Sequence, residues 1–297
     1  FTATILEKVY AKNAMNGSYL LRYKNLIEAN TATINYGLGV TGKSNTFVNT
    51  SGLTSTGQIY ICQDELAAAG QKQSLYLSDV KRVVKIIDTK TLVAPTVAML
   101  SSPTYDVTNN FSFDNGQRDS YYDHASITLI PGAPQPEGNL LVLVDYYQHI
   151  GGEGYFSLPS YISSSLPELY QEIPTYTSKG GTVYSLRDNL DFRPTRVNAT
   201  TSFQYEYDNA GDGRYGVFIP SDLTTFVTDY TYYLGRKDLL VIGRDKTIRL
   251  IEGTPAINPI PPAQPEGSLL LANITLDPYT EYVPGQSAGK ASNVNIQ

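Results

Sequence analysis

Gly37-Leu38-Gly39-Val40-Thr41-Gly42-Lys43-Ser44 matches the pattern of a loop that cradles nucleotide phosphates. Leu140 to Val144 followed by Asp145 would supply the apolar strand and carboxylate that help hold magnesium. Such a loop works because a helix begins at its lysine and turns backbone N–H groups toward the phosphates. Here Asn45-Thr46-Phe47-Val48-Asn49-Thr50-Ser51-Gly52 follows, a β-branched, asparagine-rich run stopped by glycine. No helix is expected there. The stretch reads as a glycine turn, and no nucleotide or other cofactor is expected.

Two histidines, His124 and His149, limit acid–base chemistry to few arrangements. Asp123-His124, or Asp145 with His149, would be the carboxylate–imidazole parts of a hydrolytic triad, but no nucleophile-elbow sequence accompanies them. They read as polar residues at strand ends. Asp114, Asn115, Asp119 and Asp123 form one oxygen-rich cluster, and Asp208, Asn209 and Asp212 another. Neither has the spacing of a calcium loop, and side-chain-capped turns explain both. The single cysteine, Cys62, excludes an internal disulfide and a cysteine-based zinc site. No metal ligand set and no catalytic residue is expected, and the chain is read as a non-enzyme.

The elements that must carry these residues are mostly strands. Ser74 to Leu77, Val83 to Ile87, Ala125 to Ile130, Asn139 to Tyr147, and Leu239 to Ile242 with Thr247 to Ile251 around Gly243-Arg244-Asp245-Lys246 all have strand composition. So do Thr31 to Tyr36, Gln58 to Ile61, and Phe203, Tyr205 and Tyr207 at alternate positions. Phe111 and Phe113 stand at strand spacing between turn signals at Thr108-Asn109-Asn110 and Asp114-Asn115-Gly116. Short helices are expected at Asp64 to Gly70 and Ser165 to Tyr170. The 24 glycines and 17 prolines suit a chain of many turns.

Composition narrows the partners. The 297 residues are 41% apolar and only 17% charged, so the chain folds, with a surface of Ser, Thr, Asn, Gln and Tyr. A net charge of −6 without a basic cluster argues against nucleic acid, and no apolar run is long enough to insert in a membrane. There are 24 tyrosines and no tryptophan. Tyrosine packs one ring face and keeps its hydroxyl bonded, which suits strands and contact surfaces. Tyr146, Tyr147, Tyr155, Tyr205 and Tyr207 are the candidates for exposed assembly or glycan contacts.

A phrase with the core Gln-Pro-Glu-Gly-x-Leu-Leu occurs twice. Ala133-Pro134-Gln135-Pro136-Glu137-Gly138-Asn139-Leu140-Leu141 returns as Pro262-Ala263-Gln264-Pro265-Glu266-Gly267-Ser268-Leu269-Leu270, with Tyr121-Tyr122 upstream of the first and Tyr232-Tyr233 upstream of the second. The spacing differs by 18 residues, which one hairpin inserted between Gly243 and Ile260 can supply. The prolines lead the chain extended into a strand without donating hydrogen bonds early. The fold expected is mainly β: several small antiparallel sandwich- or barrel-like modules with short helices and a partial internal repeat. Its divisions are read as a connecting segment over 1–75, a first module over 76–190 and a second over 191–297.

Three blocks, Thr104-Tyr105-Asp106-Val107-Thr108-Asn109-Asn110, Asp114-Asn115-Gly116-Gln117-Arg118-Asp119 and Tyr121-Tyr122-Asp123-His124-Ala125-Ser126-Ile127, resemble virion structural proteins of tailed bacteriophages. The nearest likeness is to contractile-tailed phages of cyanobacteria. Ile173-Pro174-Thr175-Tyr176-Thr177-Ser178, Leu186-Arg187-Asp188-Asn189 and Asp191-Phe192-Arg193-Pro194 agree. The resemblance spans residues 75 to 280 and departs at Gly235 and Asp277, where proline is expected. It implies a place in the tail fibre or baseplate of a virion assembled in the host cytoplasm. Other tail subunits would be its partners, with itself as a homotrimer among them. A receptor- or glycan-binding module of an adhesin is the alternative. The resemblance brings no catalytic residues with it, and the chain reads as part of a larger polypeptide.

Overall fold

The structure, a computed structural model, describes residues 20–36, 39–41, 46–47, 56–150, 154–161, 172–197, 234–278 and 294–296. The architecture is mainly β, built from several small antiparallel sheets with short helical turns between them. Two compact units divide the chain: Phe1–Pro167 with Pro174–Thr228, and Glu168–Ile173 with Asp229–Gln297.

In the first unit the strands are β1 (Leu20–Leu21), β2 (Tyr23–Ile27), β3 (Val40–Thr41), β4 (Thr46–Phe47), β5 (Gln58–Ile61), β6 (Lys72–Ser78) and β7 (Val80–Asp88). They are followed by α1 (Val97–Ser101), β8 (Phe111–Asp114), β9 (His124–Leu129), β10 (Leu140–Ile150), β11 (Gly154–Tyr155), β12 (Thr175–Thr177) and β13 (Val183–Ser185). The organising strand is β10. One of its edges bonds β7 from Leu140 to Tyr146; the other bonds β5 over Leu140 to Leu143 and then β2 over Tyr146 to Ile150.

An unbroken apolar run such as Leu140 to Val144 is what a strand covered on both faces requires. Leu140, Val142, Val144 and Tyr146 pack with Ile59 and Ile61 of β5, Leu75 and Leu77 of β6, and Ala125 and Ile127 of β9. This core joins the β6–β9–β8 sheet face to face with the sheet of β10. On the other side Leu141 and Leu143 pack with Ile87 and with Leu100 of α1. Truncating one of these leucines to alanine removes about 2–5 kcal/mol.

A single residue, Asp79, carries the chain from β6 into β7, with φ +55°. Aspartate tolerates this left-handed geometry better than most residues because its short side chain finds local or nearby partners. Tyr76, at φ +52°, forms the bulge in β6, and its N–H donates to Ser74 Oγ at 3.1 Å.

Local expectations fare unevenly. Residues 46–47, where a phosphate loop would continue as helix, are instead β4, paired antiparallel with β3. At Asp64 to Gly70 the expected helix is replaced by a 3₁₀ turn over Gln63–Glu65, and Gly70 turns the chain at φ +78°. Thr31 to Tyr36 is a loop. Asn30 Oδ1 accepts from the N–H of Ala32 and Thr33, and Gln58 Nε2 donates to the carbonyls of Asn30 and Thr33, so these groups are taken before a strand can use them. The helix expected at Ser165 to Tyr170 and the strand at Phe203 to Tyr207 lie outside the described residues.

The second unit contains β14 (Arg236–Ile242), β15 (Ile248–Ile251), β16 (Leu269–Leu276) and β17 (Val294–Ile296), in the sheet order β15–β14–β16–β17. The expected hairpin is present, and Lys246 closes its turn at φ +62°. Leu239 and Val241 are buried, but Ile248, Leu250, Leu269 and Leu271 are exposed. Ile248, Ile242 and Leu269 stand in one cross-strand row, and Leu240 pairs with Leu250.

The two copies of the repeated phrase share their approach to a strand but not their backbone: Gly267 is left-handed at φ +71° and Gly138 is not. Each glycine stands two residues before a strand, Gly138 before β10 and Gly267 before β16. Beyond that the surroundings differ. β10 pairs with β7, and β9, the strand that follows the first tyrosine pair, belongs to another sheet. In the second copy β16 pairs directly with β14, which follows the second tyrosine pair. The first copy enters a covered core and the second an exposed strand. Both copies lead into a strand, and among the described residues those strands have different partners.

Candidate functional site

The densest assembly of ionisable side chains among the described residues lies inside the first unit, on elements far apart in sequence. β2 supplies Lys24 and the β6–β7 corner supplies Asp79. Tyr122 precedes β9, His149 lies on β10, and Asp191, Arg193 and Thr195 follow β13. Backbone pairing brings them together. Lys24 stands opposite His149 in the β2–β10 register, Tyr122 bridges Thr195 in parallel, and Tyr122 N–H donates to Pro194 O at 2.9 Å.

Lys24 Nζ lies 2.7 Å from Asp79 Oδ2 and 2.9 Å from Tyr122 Oη. Its charge sits over the rings of Tyr122 at 4.3 Å, Phe156 at 4.6 Å and Tyr161 at 5.2 Å. The lysine and aspartate side chains are 0% and 3% exposed. Burial pulls the Lys24 ammonium below the usual lysine range, against the attraction of Asp79 and Asp191. Burial raises Asp79, but Lys24 and the His149 hydrogen bond more than offset that and leave its carboxyl well below the ordinary range.

His149 connects Asp79 to a hydroxyl. Its Nε2–H donates to Asp79 Oδ2 at 2.7 Å, and Nδ1 accepts from Thr195 Oγ1 at 2.5 Å. This is the order of a hydroxyl–imidazole–carboxylate relay, assembled from residues whose sequence neighbours gave no hint of it. Burial pushes the imidazole down to about 4, so it is neutral near pH 7. Thr195 is 2% exposed and its proton is committed to Nδ1, so the hydroxyl is not presented to a substrate.

A second carboxylate continues the cluster. Tyr122 donates a short hydrogen bond to Asp191, and Arg193 Nη2 donates to Tyr122 Oη at 3.0 Å and to Asp191 Oδ2 at 2.8 Å. The Arg193 guanidinium also lies over the rings of Tyr122 at 4.3 Å and Tyr176 at 4.5 Å. Burial drives the Tyr122 phenol far above its ordinary range, which keeps it a neutral donor.

In neither pair singled out in the sequence does the carboxylate bond the imidazole; from His124, Asp123 accepts only the backbone N–H, at 2.8 Å. Asp145 accepts from Ala29 N–H at 2.8 Å and pairs with Arg82 at 2.5 Å, leaving His149 to Asp79. Asp123 pairs with Arg196, and His124 Nε2 lies 2.7 Å from Val197 O. In the first calcium candidate the protein supplies the cations and donors. Asp114 holds Lys72 and Arg118, Asn115 caps Gln117, and Asp119 accepts from Tyr176 and Lys179. No metal-holding group of His, Cys, Asp or Glu occurs among the described residues. The second cluster, Asp208 to Asp212, lies outside them.

The expected exposure of the tyrosines is corrected for three of the five. Tyr146, Tyr147 and Tyr155 are 1%, 2% and 3% exposed, because β10 is covered on both faces and Tyr155 packs against Phe192. Tyr205 and Tyr207 lie outside the described residues. The blocks that carried the phage resemblance, 114–119, 121–127 and 191–194, instead converge on the buried cluster through Gln117, Arg118, Tyr122, Asp191 and Arg193.

Among known proteins, a family described as a domain of unknown function, DUF4815, matches residues 179–295. The match links the chain in general terms to phage tail-fibre-associated proteins. No curated protein and no solved structure matches.

Proposed function

We propose that this chain is a non-catalytic structural part of a phage tail, in the tail fibre or baseplate, which holds shape and contacts neighbouring subunits. The observation that carries the reading is the exposed aliphatic face of the second unit. Ile248, Leu250 and Leu269 stand in water on an antiparallel sheet within the stretch matched by the family, Ile248 and Leu269 on either side of Ile242, and Leu271 is exposed at the bulge beside them. Exposed aliphatic side chains in a cross-strand row suit contact with another protein subunit. It does not suit sugars, whose recognition draws on aromatic faces and polar groups. The inward turn of Tyr146, Tyr147 and Tyr155 weighs the same way, against the adhesin alternative.

The reading is supported also by the state of the ionisable groups in the first unit. Lys24, Asp79, His149 and Thr195 are bonded to one another and buried, so none of these four groups faces a substrate. The experiment is gold labelling of intact virions with antibodies raised against the chain. Label on the tail apparatus is expected. Purified particles that carry neither label nor peptides of the chain would remove the proposal.

A further inference from the structure

We propose that Lys24 and Asp79 mature into an intramolecular isopeptide bond, a covalent tie between β2 and the β6–β7 corner. Three features of the site converge on it, and none depends on where the chain sits in a virion. The amine and carboxyl are already in contact, with Nζ 2.7 Å from Oδ2, and are held there from both sides. β2 is pinned to β10 with Lys24 opposite His149, while the left-handed corner at φ +55° fixes Asp79. Water is excluded: the side chains are 0% and 3% exposed, and Tyr122, Phe156 and Tyr161 wall the amine. Condensation to an amide releases water, and a dry, preorganised site favours that direction.

The groups needed to move protons are present. The reacting form is the minor neutral one, reached when a proton passes from Nζ to Asp79 across their 2.7 Å contact; burial favours it, although Lys24 and His149 otherwise hold the carboxylate ionised. Nζ then bonds to Asp79 Cγ, while His149 Nε2–H, 2.7 Å from Oδ2, stabilises the charge that develops on that oxygen. Nζ sheds its surplus proton to Tyr122 Oη, 2.9 Å away, as the tyrosine's own proton moves along its short bond to Asp191. The Cγ–O bond breaks, and the departing hydroxyl recovers that proton and leaves as water. One C–N bond forms, one C–O bond breaks, one water is released, and nothing is oxidised or reduced. Thr195, by donating to Nδ1, positions His149 with its proton on Nε2.

The product closes a loop between positions 55 residues apart. It also replaces a costly buried ion pair with a neutral amide. β2 and β7 bond opposite edges of β10, so the tie reaches across that strand and resists shear that would peel β2 from it.

The test is intact-mass spectrometry of the full chain under reducing conditions, on a sample that first shows cooperative unfolding. The expected mass is one water below the sequence mass, and proteolysis should yield one branched peptide joining the segments that contain Lys24 and Asp79. Lys24→Met and Asp79→Ala should each restore the full mass. Folded protein at the full sequence mass, with both segments recovered as linear peptides, overturns the proposal. So does a deficit that persists in Lys24→Met, which would instead mark a cyclised aspartate. Because the unmodified chain decides the matter, failure of either variant to fold does not leave the question open.

Discussion

Arg193 and Asp191 stand two residues apart and face each other out of water. Nη2 lies 2.8 Å from Oδ2 and Nε lies 3.0 Å from Oδ1, with the side chains 0% and 1% exposed. The fork places two donors on one carboxylate, while Nη1 reaches Arg118 O at 2.9 Å and Nη2 is shared with Gln117 and Tyr122. Only guanidinium geometry fills all of these roles. Arg193→Met is expected to cost about 3–5 kcal/mol, because it strands the buried Asp191 charge. Arg193→Lys should recover little of it, since one ammonium cannot span the fork. Urea unfolding followed by tyrosine fluorescence measures both; a lysine variant as stable as the parent would refute the geometric argument.

Asp88 is the clamp that seats the first repeated phrase. Its carboxylate, buried at the end of β7, accepts from the N–H groups of Lys90 at 2.8 Å, Gly138 at 2.9 Å and Glu137 at 3.0 Å. Burial raises its pKa, and these three amides together with Lys90 bring it below the ordinary range. Asp88→Ala leaves the amides without an acceptor and should cost roughly 3 kcal/mol. Asp88→Asn retains one carbonyl oxygen and should fall between. Faster hydrogen exchange at Glu137 and Gly138 is the local signature, and unchanged protection there in the alanine variant would contradict the assignment.

The two glycines of the repeated phrase should respond differently to alanine. At Gly138 a new Cβ would lie 2.3 Å from Thr91 O and 2.5 Å from Thr91 N, backbone that cannot retreat without opening the Asp88 clamp. About 3 kcal/mol or more is expected. At Gly267 the added carbon meets the Arg244 side chain, with Nε at 2.6 Å, and that flexible group can swing away. What remains is the φ of +71°, worth about 1 kcal/mol. Comparable losses for Gly138→Ala and Gly267→Ala in thermal unfolding would show that the two copies are equivalent after all.

Acid should weaken the first unit before its carboxylates titrate. Burial lowers both His124 and His149 to about 4 from an ordinary 6.5. Between those values the unfolded chain binds protons that the folded chain does not, so stability rises with pH across the window and is lost as pH falls from 6.5 toward 4. Each histidine contributes roughly 3 kcal/mol to that loss. Unfolding free energies measured from pH 7.5 to 4 should show the slope, and His124→Gln should flatten it by about half. A flat profile in the unchanged protein would mean that the imidazoles are not held neutral by burial.

Much of the strand pattern was legible because its causes are local. The apolar run at Leu140 to Val144, the spaced Phe111 and Phe113 between turn signals, and the hairpin around Gly243 to Lys246 all follow from near-neighbour sterics and side-chain alternation. Where local signals failed, a distant partner intervened. Gln58 takes the carbonyls of Asn30 and Thr33 that a strand over Thr31 to Tyr36 would have needed nearby. Tyr146 and Tyr147 could be read as solvent-facing because a phenol suits either side of a surface; the sheets packed on both faces of β10 decided it.

By itself, then, the order of residues determined that this is a β-rich chain of turns and strands, and where most of the well-marked strands begin. It could not determine the cluster at Lys24, Asp79, Tyr122, His149, Asp191, Arg193 and Thr195, whose bonded pairs lie as far apart as 98 residues in the case of Lys24 and Tyr122. Those contacts exist because β2 pairs with β10 and Tyr122 lies beside Thr195, and strand pairing over such separations is chosen by the whole packed core and not by any short run of side chains.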